Sequence, residues 1–156
     1  MSVEGKCLEQ NVIYKATVIE ESNNNHRFYI GLTSNSFKTR FNQHQSSFRL
    51  ENKRNTTTLS NYIWTLKENN REFRIAWEIL RKTNMMQLGH TCTLCIEEKL
   101  FIMREFPNPN SLNFRTEMLS QCSHVRKRNL ASITTTSNAF QPEESSAMDA
   151  DDETNL

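Results

Sequence analysis

The sequence predicts a small mixed α/β domain in which a three-stranded antiparallel sheet is flanked by helices. Two segments rich in β-branched residues lie on either side of a polar turn near the amino terminus. A segment with period-2 alternation lies farther along the chain, and apolar residues at helical spacing occupy the stretches around it. These observations predict the element order β-β-α-α-β-α-α.

The three strands are predicted from their side-chain patterns. Residues 12–19 are rich in β-branched residues, and the polar turn at residues 21–26 separates them from a second strand at residues 27–33. A two-stranded hairpin is only marginally stable by itself, so the sheet needs a third strand. That strand is predicted at residues 73–79, where large apolar residues alternate with Arg, Ala and Glu.

Three of the predicted helices can be placed between and after the strands. Ser36 is a suitable N-cap for the first helix, and Thr57 or Thr58 for the second. The third helix runs from about residue 93 to residue 104, and two prolines follow it. Helical spacing gives the first helix the apolar stripe Phe37, Phe41 and Phe48, and the second the stripe Leu59, Tyr62, Ile63 and Leu66.

Charge divides the 156-residue chain into two parts. Residues 1–130 hold 19 basic and 12 acidic residues, a net charge of +7, whereas residues 131–156 hold six acidic residues and no basic one. The second part predicts a disordered acidic tail, because it has too few apolar residues to form a core. We expect a domain at residues 11–130 after an unassigned lead at residues 1–10. The composition excludes a collagen or a membrane span, and it disfavours a secreted protein.

A group of candidate catalytic residues lies on the first two strands and the first helix. Tyr14 ends the string VIY on strand one, and Tyr29 begins the string YIG on strand two. Arg40 and His44 are four residues apart, so they share the helical face beside the apolar stripe that docks on the sheet. From there both side chains can reach both tyrosines. Each of these residues alone is more often structural than catalytic, but their ordered combination favours an active site.

This combination resembles the GIY-YIG endonuclease family. The family pattern is GIY, then YIG, a helix with Arg and a His or Tyr, a metal-binding Glu and an Asn. The chain departs from the pattern at Val12, where the family has Gly. The resemblance implies a metal-dependent DNA endonuclease. Its catalytic residues would be Tyr14, Tyr29, Arg40, His44, Glu98 and Asn113.

Longer sequence strings restrict the resemblance to one group within the family. IYKA, YIGLT, FKTRFNQH, LSNYIWTLK, CTLCIEEK and LNFRTEMLSQCSH occur in this order and are similar to the GIY-YIG domain of Penelope-like retroelements and their standalone relatives. The similarity implies an endonuclease that nicks one DNA strand at a time and works with a reverse transcriptase or within a host. An intracellular protein is expected, in the nucleus rather than the cytoplasm, because residues 126–128 form a short basic patch.

The chemistry of phosphodiester hydrolysis suggests a role for each candidate. Arg40 can bind phosphate oxygens and stabilise the developing negative charge. Glu98 offers the hard oxygen ligand that Mg²⁺ prefers. Tyr14 can accept the proton of the attacking water if neighbouring cations lower its pKa. The resemblance assigns Tyr29 and His44 to orienting groups or relaying protons. Asn113 would hold the phosphate or Tyr14.

Three cysteines and a histidine predict a second metal site. Cys92-x-x-Cys95 is followed, after 26 intervening residues, by Cys122-x-His124. In an intracellular chain this set favours a tetrahedral structural Zn²⁺ site over a disulfide, and the resemblance implies the same. Buried free cysteines are the alternative, and His90 is a conceivable substitute ligand. Because Cys95 precedes Glu98 by three residues, zinc would fix the start of the helix that carries Glu98.

Two functions are compatible with these patterns. The first is the metal-dependent endonuclease, and the second is a catalytically inactive, zinc-stabilised module that binds DNA or another partner. Both would use the basic body, since clusters of cations bind the phosphate backbone without reading sequence. A solvated surface is the alternative for the first cluster, which consists of Lys38, Arg40, Arg49, Lys53 and Arg54.

Overall fold

The computed structural model describes residues 5–22 and 25–124, and it confirms the predicted α/β fold. Three strands form one antiparallel sheet in the order β2-β1-β3, with β1 at Val12–Glu20, β2 at His26–Thr33 and β3 at Phe73–Lys82. Along β3, half-buried and exposed positions alternate over most of the strand, as its period-2 pattern predicts. Because β1 pairs with both other strands, it is the central strand of the sheet.

A small hairpin was not predicted. Its strands are β4 at Gln87–Leu88 and β5 at Thr91–Cys92, and they pair antiparallel around Gly89. Each strand has two residues, which is too short to give an alternation that sequence analysis can detect. The hairpin leads directly into the third long helix.

Helices lie between and after the strands. They are α1 at Phe37–Ser47, α2 at Thr58–Glu68, α3 at Thr93–Glu105 and the single turn α4 at Arg115–Met118. A 3₁₀ segment at Glu51–Thr56 connects α1 to α2. The predicted caps are confirmed, since Ser36 accepts a hydrogen bond from the Thr39 N–H and Thr57 accepts one from the Ser60 N–H.

The sheet has a core on each face. Val12, Tyr14, Ala16 and Val18 alternate along β1 and pack with residues of α1 and α2. On the other face, the side chains of β1 and β2 pack with α3 and with the cysteines near it. The two cores hold α1 and α3 on opposite faces of the sheet, close to β2.

A polar segment covers the outer edge of β2. The Phe28 N–H donates to the Asn110 carbonyl (3.0 Å), and the Leu112 N–H donates to the Phe28 carbonyl (2.8 Å). These bonds form a short parallel pairing at the edge of the sheet. They bring Asn113 next to the strand that carries Tyr29.

The described part of the amino-terminal lead packs against the start of α1. The Phe37 N–H donates to the Glu9 carbonyl (2.9 Å), and the Lys38 N–H donates to the Cys7 carbonyl (2.7 Å). The predicted acidic tail at residues 131–156 lies outside the described residues. The domain limits therefore stay predictions. Within the described residues, no helix is long and apolar enough to cross a membrane.

Candidate active site

The hydroxyl of Tyr14 lies at the centre of the candidate site. Arg40 Nε donates to Tyr14 Oη at 3.0 Å, and Tyr14 Oη lies 2.7 Å from His44 Nε2. The guanidinium of Arg40 also hydrogen-bonds Tyr29. The prediction that Arg40 and His44 share a helical face that overlooks the tyrosines is therefore confirmed. Neither residue belongs to a solvated face, since His44 is 2% exposed and Arg40 is partly buried.

Gly31 gives the two tyrosines the space that they need. Tyr14 lies directly opposite Gly31 in the β1–β2 register, so its ring covers the glycine. A Cβ atom at Gly31 would lie 2.6 Å from Tyr14 Oη and 2.8 Å from the nearest ring carbon of Tyr29. Both contacts are closer than real Cβ atoms tolerate. The glycine of the YIG string is thus required for close packing around Tyr14.

We expect Gly31→Ala to displace the Tyr14 hydroxyl and to lower DNA cleavage by about 100-fold, because a shift near 1 Å at a reacting group has that scale of effect. Cleavage rate and melting temperature should both be measured. Gly89→Ala is the control, since its methyl group would meet no atom within 4 Å. Gly89 has a positive φ of 57°, so its replacement by alanine should lower stability somewhat and leave activity unchanged. Equal cleavage by Gly31→Ala and wild type would contradict the packing argument.

His44 is a neutral hydrogen-bond acceptor in this site. Burial, with a smaller contribution from Arg40, lowers its pKa from the usual 6.5 to about 3. Because Tyr14 Oη accepts the hydrogen bond from Arg40, its own proton is directed at His44 Nε2. The imidazole also stacks on Phe48 with ring centroids 5.9 Å apart. The hydrogen bond with Tyr14 and the stacking on Phe48 therefore fix the orientation of the imidazole ring.

The buried His44 should make the fold sensitive to acid. The unfolded chain binds the His44 proton below about pH 6.5, whereas the folded protein binds it only near pH 3, so falling pH favours unfolding across this window. The contribution is at most about 1.4 kcal/mol per pH unit. His44→Gln should lose less stability than wild type between pH 6.5 and 4 in denaturant titrations.

The control for this prediction is His26→Gln, which changes an exposed histidine at the start of β2. Carboxylates titrate in the same pH range in all three proteins, so the difference between the curves isolates His44. Parallel stability curves for wild type and His44→Gln would contradict its burial in the neutral form.

The condition under which Tyr14 would act as a base, a pKa lowered by neighbouring cations, is not met. Burial raises the pKa of Tyr14 to about 12, and the opposing effect of Arg40 is smaller. Burial also raises the pKa of Tyr29 well above its usual range. The cations alone thus leave both tyrosines as neutral phenols near neutral pH. Sequence analysis identified Arg40 as the neighbouring cation. It could not compare the effect of Arg40 on the Tyr14 pKa with the larger effect of burying the Tyr14 side chain.

Glu98 faces this group from α3. Its carboxylate acts electrostatically on both tyrosines and on Arg40, and the backbone of Leu32 hydrogen-bonds it. Burial, followed by repulsion from Glu117, raises the pKa of Glu98 to about 7. A half-buried carboxylate with a second carboxylate nearby favours a cation as neighbour. The donor set thus fits a hard divalent ion such as Mg²⁺.

The structure places Asn113 on the backbone of β2. Its Oδ1 accepts from the Ile30 N–H, and its Nδ2 donates to the Ile30 carbonyl, both at 2.8 Å. The same Nδ2 donates to Glu117 Oε2 at 2.7 Å. Its Nδ2 donors are therefore engaged within the protein, and Asn113 positions the strand between Tyr29 and Gly31. In the structure it holds neither Tyr14 nor an open phosphate position.

Glu117 was missed by sequence analysis. It lies on α4, hydrogen-bonds Asn113, and acts electrostatically on Tyr29 and Glu98. Burial raises the pKa of its carboxyl group. The four-residue spacing from Asn113 was the available signal, since side chains at i and i+4 meet on a helical turn.

The predicted zinc ligands come together in one cluster. Their ligand atoms all lie within 4.8 Å of one another, with the Cys95 and Cys122 sulfurs 3.4 Å apart and Cys92 Sγ 3.6 Å from His124 Nδ1. Four ligands around one tetrahedral Zn²⁺ are separated by about 3.5–3.8 Å. The donor set therefore fits zinc. The described metal-ligand group does not include His90 or Cys7.

The zinc cluster lies at the start of α3. Cys92 is its N-cap and Cys95 is in its first turn, while Cys122 and His124 come from the carboxy-terminal part of the described chain. Burial raises the pKa of the Cys95 thiol, so a cation is needed to hold it as a thiolate. A metal at this position would anchor α3 one turn before Glu98.

Comparison with known proteins agrees with this geometry. Residues 11–87 match the family described as the GIY-YIG catalytic domain. The matched range includes Tyr14, Tyr29, Arg40 and His44, whereas Glu98 lies beyond it. No curated protein and no solved structure matches the chain. Residues 11–87 therefore form a domain of the GIY-YIG family, which supports a nuclease-type function.

Proposed function

We propose that this protein is a Mg²⁺-dependent DNA endonuclease that cuts one strand at a time, of the type found in Penelope-like retroelements. The observation that carries the proposal is the Tyr14 hydroxyl, held between Arg40 Nε at 3.0 Å and His44 Nε2 at 2.7 Å. Glu98 acts electrostatically on the same group. A catalytically inactive binding module has no evident need for this arrangement.

Arg40 would stabilise the negative charge that develops on the phosphate. Within the described residues its guanidinium makes hydrogen bonds to tyrosine and glutamine side chains, and no salt bridge neutralises it. Its charge is therefore available to a phosphate oxygen. Removing one such preorganised charge from a transition state costs about 100-fold or more in rate.

Tyr14 and His44 would move the proton. When Tyr14 Oη accepts a proton from the attacking water, its own proton can pass to His44 Nε2 along the existing 2.7 Å hydrogen bond. Tyr14 is then never a free phenolate, which its pKa of about 12 disfavours. Tyr29, bonded to the same guanidinium, is the other candidate proton acceptor.

Glu98 would hold the divalent ion. Its half-buried carboxylate is close enough to Glu117 to be repelled by it, and a bound cation would relieve that repulsion. Bound Mg²⁺ would supply a Lewis acid for the leaving oxygen and a positive field beside Tyr14. Zn²⁺ is proposed only for Cys92, Cys95, Cys122 and His124, where it has a structural role.

A single set of candidate catalytic residues supports the proposal of cleavage of one strand at a time. The described residues contain a single group of Tyr14, Arg40 and Glu98, which is enough to cut one phosphodiester bond per binding event. Cutting both strands would need a second event or a second copy. The similarity of the ordered strings favours a retroelement origin, a reverse transcriptase or host partner, and a nuclear location.

The test is a cleavage assay on supercoiled plasmid with zinc-loaded protein, with and without Mg²⁺. The proposal expects open-circular DNA to accumulate before linear DNA, and only when Mg²⁺ is present. Folded protein that binds the plasmid but leaves it supercoiled in Mg²⁺ and in Mn²⁺ would favour the inactive binding module instead.

A further inference from the structure

Three open cavities lie side by side around α1, and each contacts residues along most of its length. The first has a volume of about 550 Å³ and lies between α1 and the 3₁₀ segment, beside Arg40. The last has a volume of about 600 Å³ and lies between α1, α2 and β3. A middle cavity of about 580 Å³ shares residues with both, so the three adjoin one another as one depression that curves around α1. We call it the α1 groove, and its shared lining residues are Phe41, Asn42, Gln45, Ser46 and Arg49.

The α1 groove is positively charged along its length. Arg40 and Lys53 line its first part, Arg49 its middle, and Lys67 its far end. No carboxylate is among the residues that line the three cavities. Most other lining residues near α1 carry amide or hydroxyl groups, which can hydrogen-bond to phosphate and sugar oxygens. This composition is complementary to a polyanion.

The residues of the predicted basic cluster fall into two groups in the structure: those that line the groove and those that do not. Arg54 is neutralised by Glu68, with Arg54 Nη2 3.0 Å from Glu68 Oε2. Lys38 is exposed on α1, but it lines none of the three cavities. Arg49 and Lys53 therefore face the groove together with Arg40. The solvated-surface alternative describes Lys38 and Arg54 rather than the whole cluster.

The far end of the α1 groove is aromatic. Phe41 and Trp77 line it, and their rings pack edge to face with centroids 5.5 Å apart. Both side chains are only partly buried against the core. A flat apolar surface next to Arg49 and Lys67 is a suitable platform for a nucleic-acid base.

We propose that the α1 groove holds the DNA strand that leads away from the scissile phosphate, with backbone phosphates at Lys53 and Arg49 and a base near Trp77. The inference rests on the proposed function, because Arg40 marks the end of the groove where cleavage occurs. Arg40 and Arg49 are nine residues apart, about two and a half helical turns, so the strand would pass around α1 rather than run along its axis.

The test compares Arg49→Gln with Lys38→Gln. Both changes remove one positive charge, from α1 and from the turn just after it, so long-range electrostatics change similarly, but only Arg49 lines the groove. Binding of the full zinc-loaded chain to a short labelled DNA duplex should be measured by fluorescence anisotropy over a range of salt concentrations. We expect Arg49→Gln to weaken binding about three- to fivefold, as for one exposed charged contact, and to reduce the salt slope by about 0.9. Lys38→Gln should change affinity less than twofold.

A second pair of variants places a new charge in the groove. Gln45→Glu should weaken DNA binding at least about tenfold, because it adds a carboxylate beside the proposed phosphate positions. Gln10→Glu is the control, since it makes the same change at an exposed position outside the groove. Circular dichroism melting curves would show that all four variants are folded.

The two proposals fail in different ways. If wild type nicks plasmid but Arg49→Gln and Gln45→Glu bind DNA as well as their controls do, the groove is overturned and the nuclease stands. If wild type never cleaves but both variants bind DNA more weakly than their controls, the groove stands and the nuclease is overturned. Absence of DNA binding by wild type at low salt would overturn both.

Discussion

Glu98→Gln is expected to reduce DNA cleavage at least about 100-fold while leaving DNA binding nearly unchanged. The substitution removes the proposed Mg²⁺ ligand, and the loss of one stabiliser of the transition state has that scale. Arg40→Ala should have an effect of the same size on cleavage. Single-turnover cleavage of plasmid in Mg²⁺ and DNA affinity in its absence are the two measurements. A Glu98→Gln protein that cuts as fast as wild type would exclude Glu98 as the metal ligand.

The stability of Glu98→Gln should distinguish a catalytic role from a structural one. Burial raises the pKa of Glu98 from the usual 4.5 to about 7 in the folded protein, so its charged form is disfavoured and its contribution to stability is lost as pH rises from about 4.5 to about 7. Without Mg²⁺ at pH 8, the variant should therefore be at least as stable as wild type. A glutamine also removes the repulsion by Glu117.

Glu97→Gln is a matched control on the same helix. Glu97 accepts a hydrogen bond from Thr83 Oγ1 at 2.6 Å and pairs with Arg81 at 3.1 Å, so it links α3 to the end of β3. Its loss should lower the melting temperature and leave cleavage intact. Substitutions of the two neighbouring glutamates are thus expected to have opposite effects on cleavage and melting temperature. A general weakening of α3 cannot produce both results.

Removing zinc is expected to unfold or strongly loosen the domain and to abolish cleavage even after Mg²⁺ is restored. Binding of Zn²⁺ to structural sites of this ligand type contributes about 10–16 kcal/mol in small peptides, which is comparable to the whole stability of a typical domain. Cys95→Ser should lower zinc content, melting temperature and activity together. Elemental analysis, thermal melts and plasmid cleavage on the same sample would measure all three.

Cys7→Ser is the control for zinc, because Cys7 is a partly buried free cysteine outside the metal-ligand group. It should keep zinc, stability and activity. Protein purified without chelator that contains no zinc, yet melts like the zinc-loaded form, would leave Cys92, Cys95 and Cys122 with a packing role only.

The contrast between Glu98 and Cys95 has a simple structural basis. Both lie on α3, three residues apart, and Cys92 caps the same helix. Zinc would fix where α3 starts, and the helix then carries Glu98 to β2, where the Leu32 backbone meets its carboxylate. Loss of zinc removes the support, whereas loss of the carboxylate removes only the ligand.

Local spacing was sufficient to predict much of the site. Arg40 and His44 are four residues apart on a capped helix, so their shared face follows from helical geometry, and their apolar neighbours direct that face to the sheet. The short hairpin at Gln87–Cys92 has too few residues for a detectable pattern. The predicted roles of the six candidate catalytic residues stay predictions.

Long-range contacts explain what sequence analysis missed. Asn113 bonds the backbone of Ile30, 83 residues earlier in the chain, and this contact leaves no local periodicity. Glu117 enters the site only because it follows Asn113 on the turn that covers the edge of β2. Neither the strand-positioning role of Asn113 nor the repulsion between Glu98 and Glu117 can be read from spacing.

The sequence by itself determined the order of the three main strands and the long helices, and the helix caps, because these depend on neighbours within a few residues. Ordered motifs also identified the four zinc-ligand candidates and the group of two tyrosines with Arg40 and His44. Only the tertiary structure decided that burial outweighs Arg40 at Tyr14 and raises its pKa. It also decided that Arg49 and Lys53 face a groove while Glu68 neutralises Arg54. Desolvation and charge pairing depend on which distant segments pack together, and local patterns do not contain that information.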